Sequence, residues 1–369
     1  MTPSDLLVND VPLIDLRAPA EFARGAFPSA VNRPLLTDDE RSEIGTLHKR
    51  HGRDAAIRRG HELVTGEVRE ARIKRWTDFL ARQPDAWIYC WRGGLRSAVA
   101  QSWLRESGLC VPRVEGGYKQ LRQACLDVFE ALGPADAEAS ASAAASGAEP
   151  IHAKQWLVLA GRTGVGKTKV IERLPEAIDL EALARHRGSA FGGREGGQPT
   201  PIAFENALAI DALKHRGHRL IVEDESRTIG RLALPQFWHA RMQQAPVVVL
   251  EAPLPARIAR IRAEYVDEPL ANGASEGTLL ARHQAALDRI ERRLGHRRHA
   301  EVADALKAGF RNGNHEGWIE RLLMWYYDPM YDHQLKTKRR RIEFRGDRAQ
   351  VSAYLRTGAA RPCIGRHAT

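Results

Sequence analysis

Trp156-Leu-Val-Leu-Ala160, running directly into Gly161-Arg-Thr-Gly-Val-Gly-Lys-Thr168, decides the fold of the second half of the chain. The short apolar run reads as a buried strand, and Lys169 to Leu174 behind the loop reads as a helix. The spacing between them is G-x-x-x-x-G-K-T, so both context conditions for a phosphate-binding P-loop are met. Glycines at 161, 164 and 166 let backbone N–H groups wrap a di- or triphosphate. Lys167 would bridge phosphate oxygens, and the Thr168 hydroxyl would help hold Mg²⁺.

Working outward, Leu220-Ile-Val222 reads as a strand that ends in Glu223-Asp-Glu-Ser226. Acids at such a strand end organise Mg²⁺ or water opposite a P-loop, with Glu223 or Glu225 first in line; the alternative is an acidic N-cap to the next helix. Asp179 to Arg194 reads as a helix giving way to a Gly/Arg-rich loop, either a cover for phosphates or an RNA backbone, or a plain surface loop. Val247 to Leu250 is a further strand. The remainder is helical and arginine-dense, with Trp318 to Tyr327 as a core helix. Lys336-Thr-Lys-Arg-Arg-Arg341 is either a solvated face or a phosphate-contact surface.

The first half is organised around Trp87-Ile-Tyr-Cys-Trp-Arg-Gly-Gly-Leu-Arg-Ser97. A strand ends at Tyr89, a helix covers Ala98 to Leu104, and Cys90 opens the glycine-arginine loop between them. Inward-turned loop amides, the helix N-terminus and Arg92 or Arg96 would favour a thiolate at Cys90 and an anion on or near its sulfur. The plainer reading is a buried cysteine at a strand end. Val11 to Leu16 and Val111 to Val114 read as strands, and Thr37 to Arg82 as charged amphipathic helices. Strands alternating with helices imply a parallel sheet, whose ligands sit beyond the strands' carboxyl ends.

Length and composition set the frame. A chain of 369 residues suggests two domains. The boundaries read as 1–132, a low-complexity linker at 133–150, and 151–369. No apolar run is long enough to cross a bilayer, and no secretory signal is visible. Cysteines at 90, 110, 125 and 363 form neither metal-ligand spacing nor a disulfide framework, so a reducing cytoplasm is expected and no metal centre. His48, His51 and His61 read as solvated. The net charge of +10 suits a polyanionic partner, nucleic acid first, or simply marks a basic protein.

Leu13-Ile-Asp-Leu-Arg17, Glu21-Phe22, Gly25 to Asn32, the Cys90 loop and Glu115-Gly-Gly-Tyr118 together resemble a rhodanese domain. With the P-loop, His186-Arg-Gly-Ser-Ala-Phe-Gly192, Val222-Glu-Asp-Glu-Ser226 and Tyr326-Tyr-Asp-Pro-Met-Tyr331, nearly the whole chain is similar to the tRNA 2-selenouridine synthase family. The resemblance implies an α/β fold: an N-terminal rhodanese-like parallel-sheet domain, then a P-loop NTPase-like domain with a helical, basic C-terminal extension. It also implies a cytoplasmic transferase that converts 2-thiouridine at the tRNA wobble position to 2-selenouridine. The sulfur is first geranylated from geranyl diphosphate held on the P-loop, then replaced by selenium from selenophosphate through Cys90. Partners so implied are tRNA and a selenophosphate-producing enzyme, with no membrane. Cys90 to Arg96 also spells C-x-x-G-x-x-R, the loop of cysteine-dependent phosphatases, although Tyr89 stands where those carry histidine. A sulfurtransferase or phosphatase fused to a P-loop nucleotide-binding domain therefore stays open, as does a non-catalytic RNA-binding protein.

Overall fold

The computed structural model describes residues 1–133, 150–194 and 196–357; the linker expected at 133–150 lies outside them except for its two end residues, as does Cys363. The chain forms two compact α/β units. One holds residues 1–133 together with Pro199–Lys214, the other residues 150–198 and 215–357.

In the first unit, β1 (Leu13–Asp15), β2 (Ala30–Asn32) and β3 (Trp87–Tyr89) make a parallel sheet in the order β2-β1-β3. Ile14 faces Val31 on one side and Ile88 on the other. Ile14 and Ile88 are wholly buried, as a doubly covered parallel sheet requires. The strand expected at Val111 to Val114 reduces to a single parallel bridge, Ile88 to Arg113. The charged segment forms two helices, Asp38–Leu63 and Gly66–Leu80. Thr37 and Glu40 close the first with a reciprocal capping box, and Gly52, at φ +81°, kinks it.

Pro201–Lys214 departs from the expected division, which placed it in the second domain. This helix packs with Gly117–Glu130 and Pro3–Val8 of the first unit. Arg122 pairs with Glu205 and donates to Asn206 Oδ1 at 2.7 Å, while Asn206 Nδ2 donates to the Ala26 carbonyl at 3.1 Å. Lys214 pairs with Asp10 at 2.5 Å. An apolar helix face carries no mark of which sheet it will cover, so a contiguous boundary missed it.

The second unit has a five-stranded parallel sheet, ordered β10-β9-β4-β6-β5. These are β4 (Gln155–Ala160), β5 (Ala177–Ile178), β6 (Arg219–Glu223), β9 (Val247–Leu250) and β10 (Ile342–Gly346), with a small antiparallel pair, β7 (Thr228–Ile229) and β8 (Leu232–Ala233), between β6 and β9. Central β4 pairs with β6 and β9. The helices between β9 and β10 pack on a core of their own that includes Trp318, Ile319, Leu322 and Leu323. Trp318 to Tyr327 is therefore core, although its last five residues form a π-turn. The basic run at 336–341 is partly structural: Lys338 pairs with Asp224 at 2.5 Å, and Arg341 donates to the Met242 and Ala245 carbonyls at 3.0 and 2.7 Å. No helix among the described residues is long and apolar enough to cross a membrane.

Candidate active sites

Two sites stand at the carboxyl ends of strands, one in each unit. In the first, β3 ends at Tyr89, and residues 90–94 turn into the helix Leu95–Glu106. The turn is held by its carbonyls: Tyr118 N–H donates to Cys90 O at 2.9 Å, and Lys119 N–H to Trp91 O at 3.0 Å. Gly117 makes that approach possible. It sits at φ +59°, and a Cβ there would fall 2.2 Å from the Cys90 carbonyl oxygen. With the carbonyls so used, the N–H groups of Trp91, Arg92, Gly93 and Gly94 have no acceptor among the described residues. Such a loop can receive an anion.

Cys90 is buried beneath this loop, its Sγ 3.3 Å from Ser97 Oγ, whose hydroxyl donates to the Gly94 carbonyl at 3.0 Å. The two arginines expected to serve the sulfur divide. Arg92 is exposed on the loop. Arg96 is clasped by Glu21, at 2.6 and 3.3 Å. Burial pushes the Glu21 carboxyl up, but Arg96, the Ala18 amide and Arg41 outweigh it and hold the group below its ordinary value. Behind the loop, Arg17 and Asp15 form a fully buried pair at 2.6 Å. Tyr89 donates to Asp15 Oδ2 at 2.7 Å, and the Arg17 guanidinium lies 3.7 Å from the centre of the Tyr118 ring. Cys125 packs in the core, where burial pushes its thiol up to about 12.

In the second unit, β4 delivers Gly161 and the loop closes on the helix Lys167–Ile171. Gly164 and Gly166 sit at φ +81° and +85°. Gly161 passes so close to β9 that a Cβ would meet the Leu250 carbonyl at 2.7 Å. The N–H groups of Thr163, Gly164 and Gly166 have no acceptor among the described residues. Lys167 Nζ donates to the Gly161 carbonyl at 3.2 Å, arching over the loop. Two helix arginines brace it from below: Arg257 donates to Thr163 O at 2.9 Å while paired with Asp328, and Arg260 donates to Gly164 O. The arginine density of the helical region is thus partly a scaffold for the P-loop.

The acids converge as expected, and with one more member. Thr168 Oγ1 lies 3.5 Å from Glu223 Oε1 and also 3.5 Å from Glu181 Oε2. The Glu181 N–H donates to Glu223 at 3.4 Å. Burial drives the Glu223 carboxyl well above its ordinary value, reinforced by Glu181, Asp179 and Glu225 against the pull of Lys167. Burial and Glu181 push Glu225 up to about 8, and burial also raises Glu181. Asp224, between them, turns to Lys338. Gly188 of the Gly/Arg-rich loop lies against the cluster: its Cβ would come within 2.8 Å of carboxylate oxygens of both Glu181 and Glu225. That loop is therefore part of the site's wall. The only signal for Glu181 in the sequence was its place beside the capping Asp179, which donates nothing to a motif search.

Burial and mutual repulsion keep protons on these carboxyls, and a cation in the protons' place would let them ionise together. No group of three or more His, Cys, Asp or Glu side chains in metal-holding geometry occurs among the described residues. Mg²⁺ fits nonetheless, since it commonly takes one or two carboxylates, a hydroxyl, phosphate oxygens and water.

Residues 154–361 match the family model described as the tRNA 2-selenouridine synthase AAA domain. A protein of Marinobacter nauticus named tRNA 2-selenouridine synthase is 44% identical over 96% of this chain and 96% of its own. Proteins of that name from Pseudomonas syringae pv. syringae and Shewanella pealeana are 45% and 43% identical, each over 95% of this chain and 96% of theirs. With both glycine-dependent sites inside a match that runs end to end, the chain belongs to the tRNA 2-selenouridine synthase family.

Proposed function

We propose that this chain is a tRNA-modifying transferase that converts 2-thiouridine at the wobble position to 2-selenouridine, working in the cytoplasm in two steps on two sites. The single observation that carries the reading is the end-to-end match to proteins named for that product.

The first step is geranylation of the thiouridine sulfur at the P-loop. A thiocarbonyl sulfur is a poor leaving group, whereas an S-alkylated one departs as a thiol, so alkylation divides one hard displacement into two easier ones. The free amides of the loop and Lys167 bind the diphosphate of geranyl diphosphate, and Thr168 with Glu181 and Glu223 would hold Mg²⁺, which supplies charge neutralisation to the departing diphosphate. Glu225 sets the charge of that cluster. The second step belongs to the rhodanese-like unit: the Cys90 thiolate takes the phosphoryl group of selenophosphate as the Se–P bond breaks. The selenide so released is held by the unpaired amides at 91–94 with Arg92 and displaces geranylthiol from the base, and water then frees phosphate from Cys90. Arg96 positions the loop through Glu21. A selenophosphate-producing enzyme is the donor's source. The match to proteins named for the selenouridine product favours this reading over the phosphatase one.

The test is mass spectrometry of tRNA nucleosides from selenite-grown cells carrying each variant. Cys90→Ala should abolish 2-selenouridine and leave S-geranyl-2-thiouridine in place. Lys167→Ala should remove both. A folded Cys90→Ala protein that loses geranylation as well would refute this division of labour.

A further inference from the structure

A cavity of about 300 Å³ lies in the first unit, against the helix that follows the Cys90 loop. Leu35, Leu36, Ile44, Val64, Leu95 and Trp103 form walls that are almost wholly apolar. Cys90 belongs to the same buried cluster as the wall residues Leu35, Leu36, Val64 and Trp103, and Leu95, Arg96 and Val99 of the helix that follows its loop line the space. The mouth is different in character, with His48, Arg53 and His61 exposed along the kinked helix.

We propose that this cavity takes the hydrocarbon chain carried on the sulfur of the modified base, an acyclic group of about ten carbons, while the RNA that bears it crosses the basic mouth. The proposal rests on the two-step reading above and gives its second site a substrate-specificity pocket. Its volume stands at the lower end of small-molecule pockets, roughly 300–1,000 Å³, and suits a chain of about ten carbons. A nucleobase or sugar would bury polar groups against walls that offer them almost no partner, at a cost of a few kcal/mol each on the order usual for such transfers. A hydrocarbon asks for none. The cationic mouth selects a chain tethered to a polyanion, and disfavours a second copy of a chain whose net charge is +10.

Gly60 makes the idea testable. It lines the cavity, lies within a helix, and a Cβ added there meets only Ile44 Cδ1, at 3.5 Å. Gly60→Leu therefore fills the space without backbone strain, and Ala56→Phe fills it from a neighbouring turn. The full chain is titrated with two anticodon stem-loop RNAs, one bearing S-geranyl-2-thiouridine and the other S-methyl-2-thiouridine. Wild type should favour the geranyl RNA by about tenfold or more. Either variant should bring that ratio close to one without lowering the melting temperature. No preference in wild type, a ratio that both variants leave intact, or an equal loss for both RNAs would each overturn the assignment. Wild type that favours the geranyl RNA, and loses the preference in the variants, yet never converts it to 2-selenouridine with selenophosphate would support the cavity's occupant while removing the two-step reading.

Discussion

Glu225→Gln should stabilise the second unit, by an amount that grows as pH rises from about 4.5 to about 8. In the folded chain, burial and Glu181 hold the Glu225 carboxyl at about 8, against an ordinary value of 4.5. The unfolded chain has therefore released a proton that the folded chain still keeps. Stability falls as pH rises from about 4.5 to about 8, and is level above that window. Each tenfold change in proton affinity is worth about 1.4 kcal/mol, so the ionised carboxyl costs on the order of 5 kcal/mol; sharing charge with Glu181 and Glu223 brings the expected gain to about 3 kcal/mol. For a unit of this size that is about 6–12 °C in melting temperature. Thermal unfolding followed by circular dichroism at pH 4.5 and 8.5 is the assay. The variant should melt close to wild type at pH 4.5 and well above it at pH 8.5. Mg²⁺ with inorganic diphosphate should raise the wild-type melting temperature at pH 8.5 and raise the variant's less. Parallel pH profiles, or a variant that melts below wild type at pH 8.5, would refute the claim that these glutamates are crowded for a cation.

Further predictions concern the cysteine loop and its support. Gly117→Ala should displace the loop, because its Cβ would fall on the Cys90 carbonyl; selenation should drop at least about tenfold while S-geranyl-2-thiouridine still forms, read by nucleoside mass spectrometry. Asp15→Ala leaves Arg17 buried without a counter-charge and should cost about 3–5 kcal/mol in urea denaturation, and Asp15→Ala with Arg17→Leu should recover most of it. Arg257→Ala removes the brace under Thr163 and strands Asp328; weakened diphosphate binding by calorimetry is expected, whereas unchanged binding would make the brace purely structural.

What could be read from the sequence was local. The order strand, glycine-rich loop, helix around 156–174 and again around 87–104 follows from periodicity and from the backbone freedom of glycine, so both loops and the residues Cys90, Lys167 and Thr168 were legible without a structure. The acidic end of β6 was legible for the same reason. What only the tertiary structure decided is how distant segments meet. It brought Glu181 to Thr168 and Glu223, gave Arg96 to Glu21 rather than to the sulfur, and tied Tyr89 to Asp15 across 74 positions of sequence. It also moved Pro201–Lys214 into the first unit and made Ile342–Gly346 an edge strand beside β9. The physical reason is common to all of these. Backbone geometry is dictated within a few residues, whereas the partner of a charged or apolar side chain is chosen by which surfaces pack together, and a helix face or a carboxylate does not name its partner in advance.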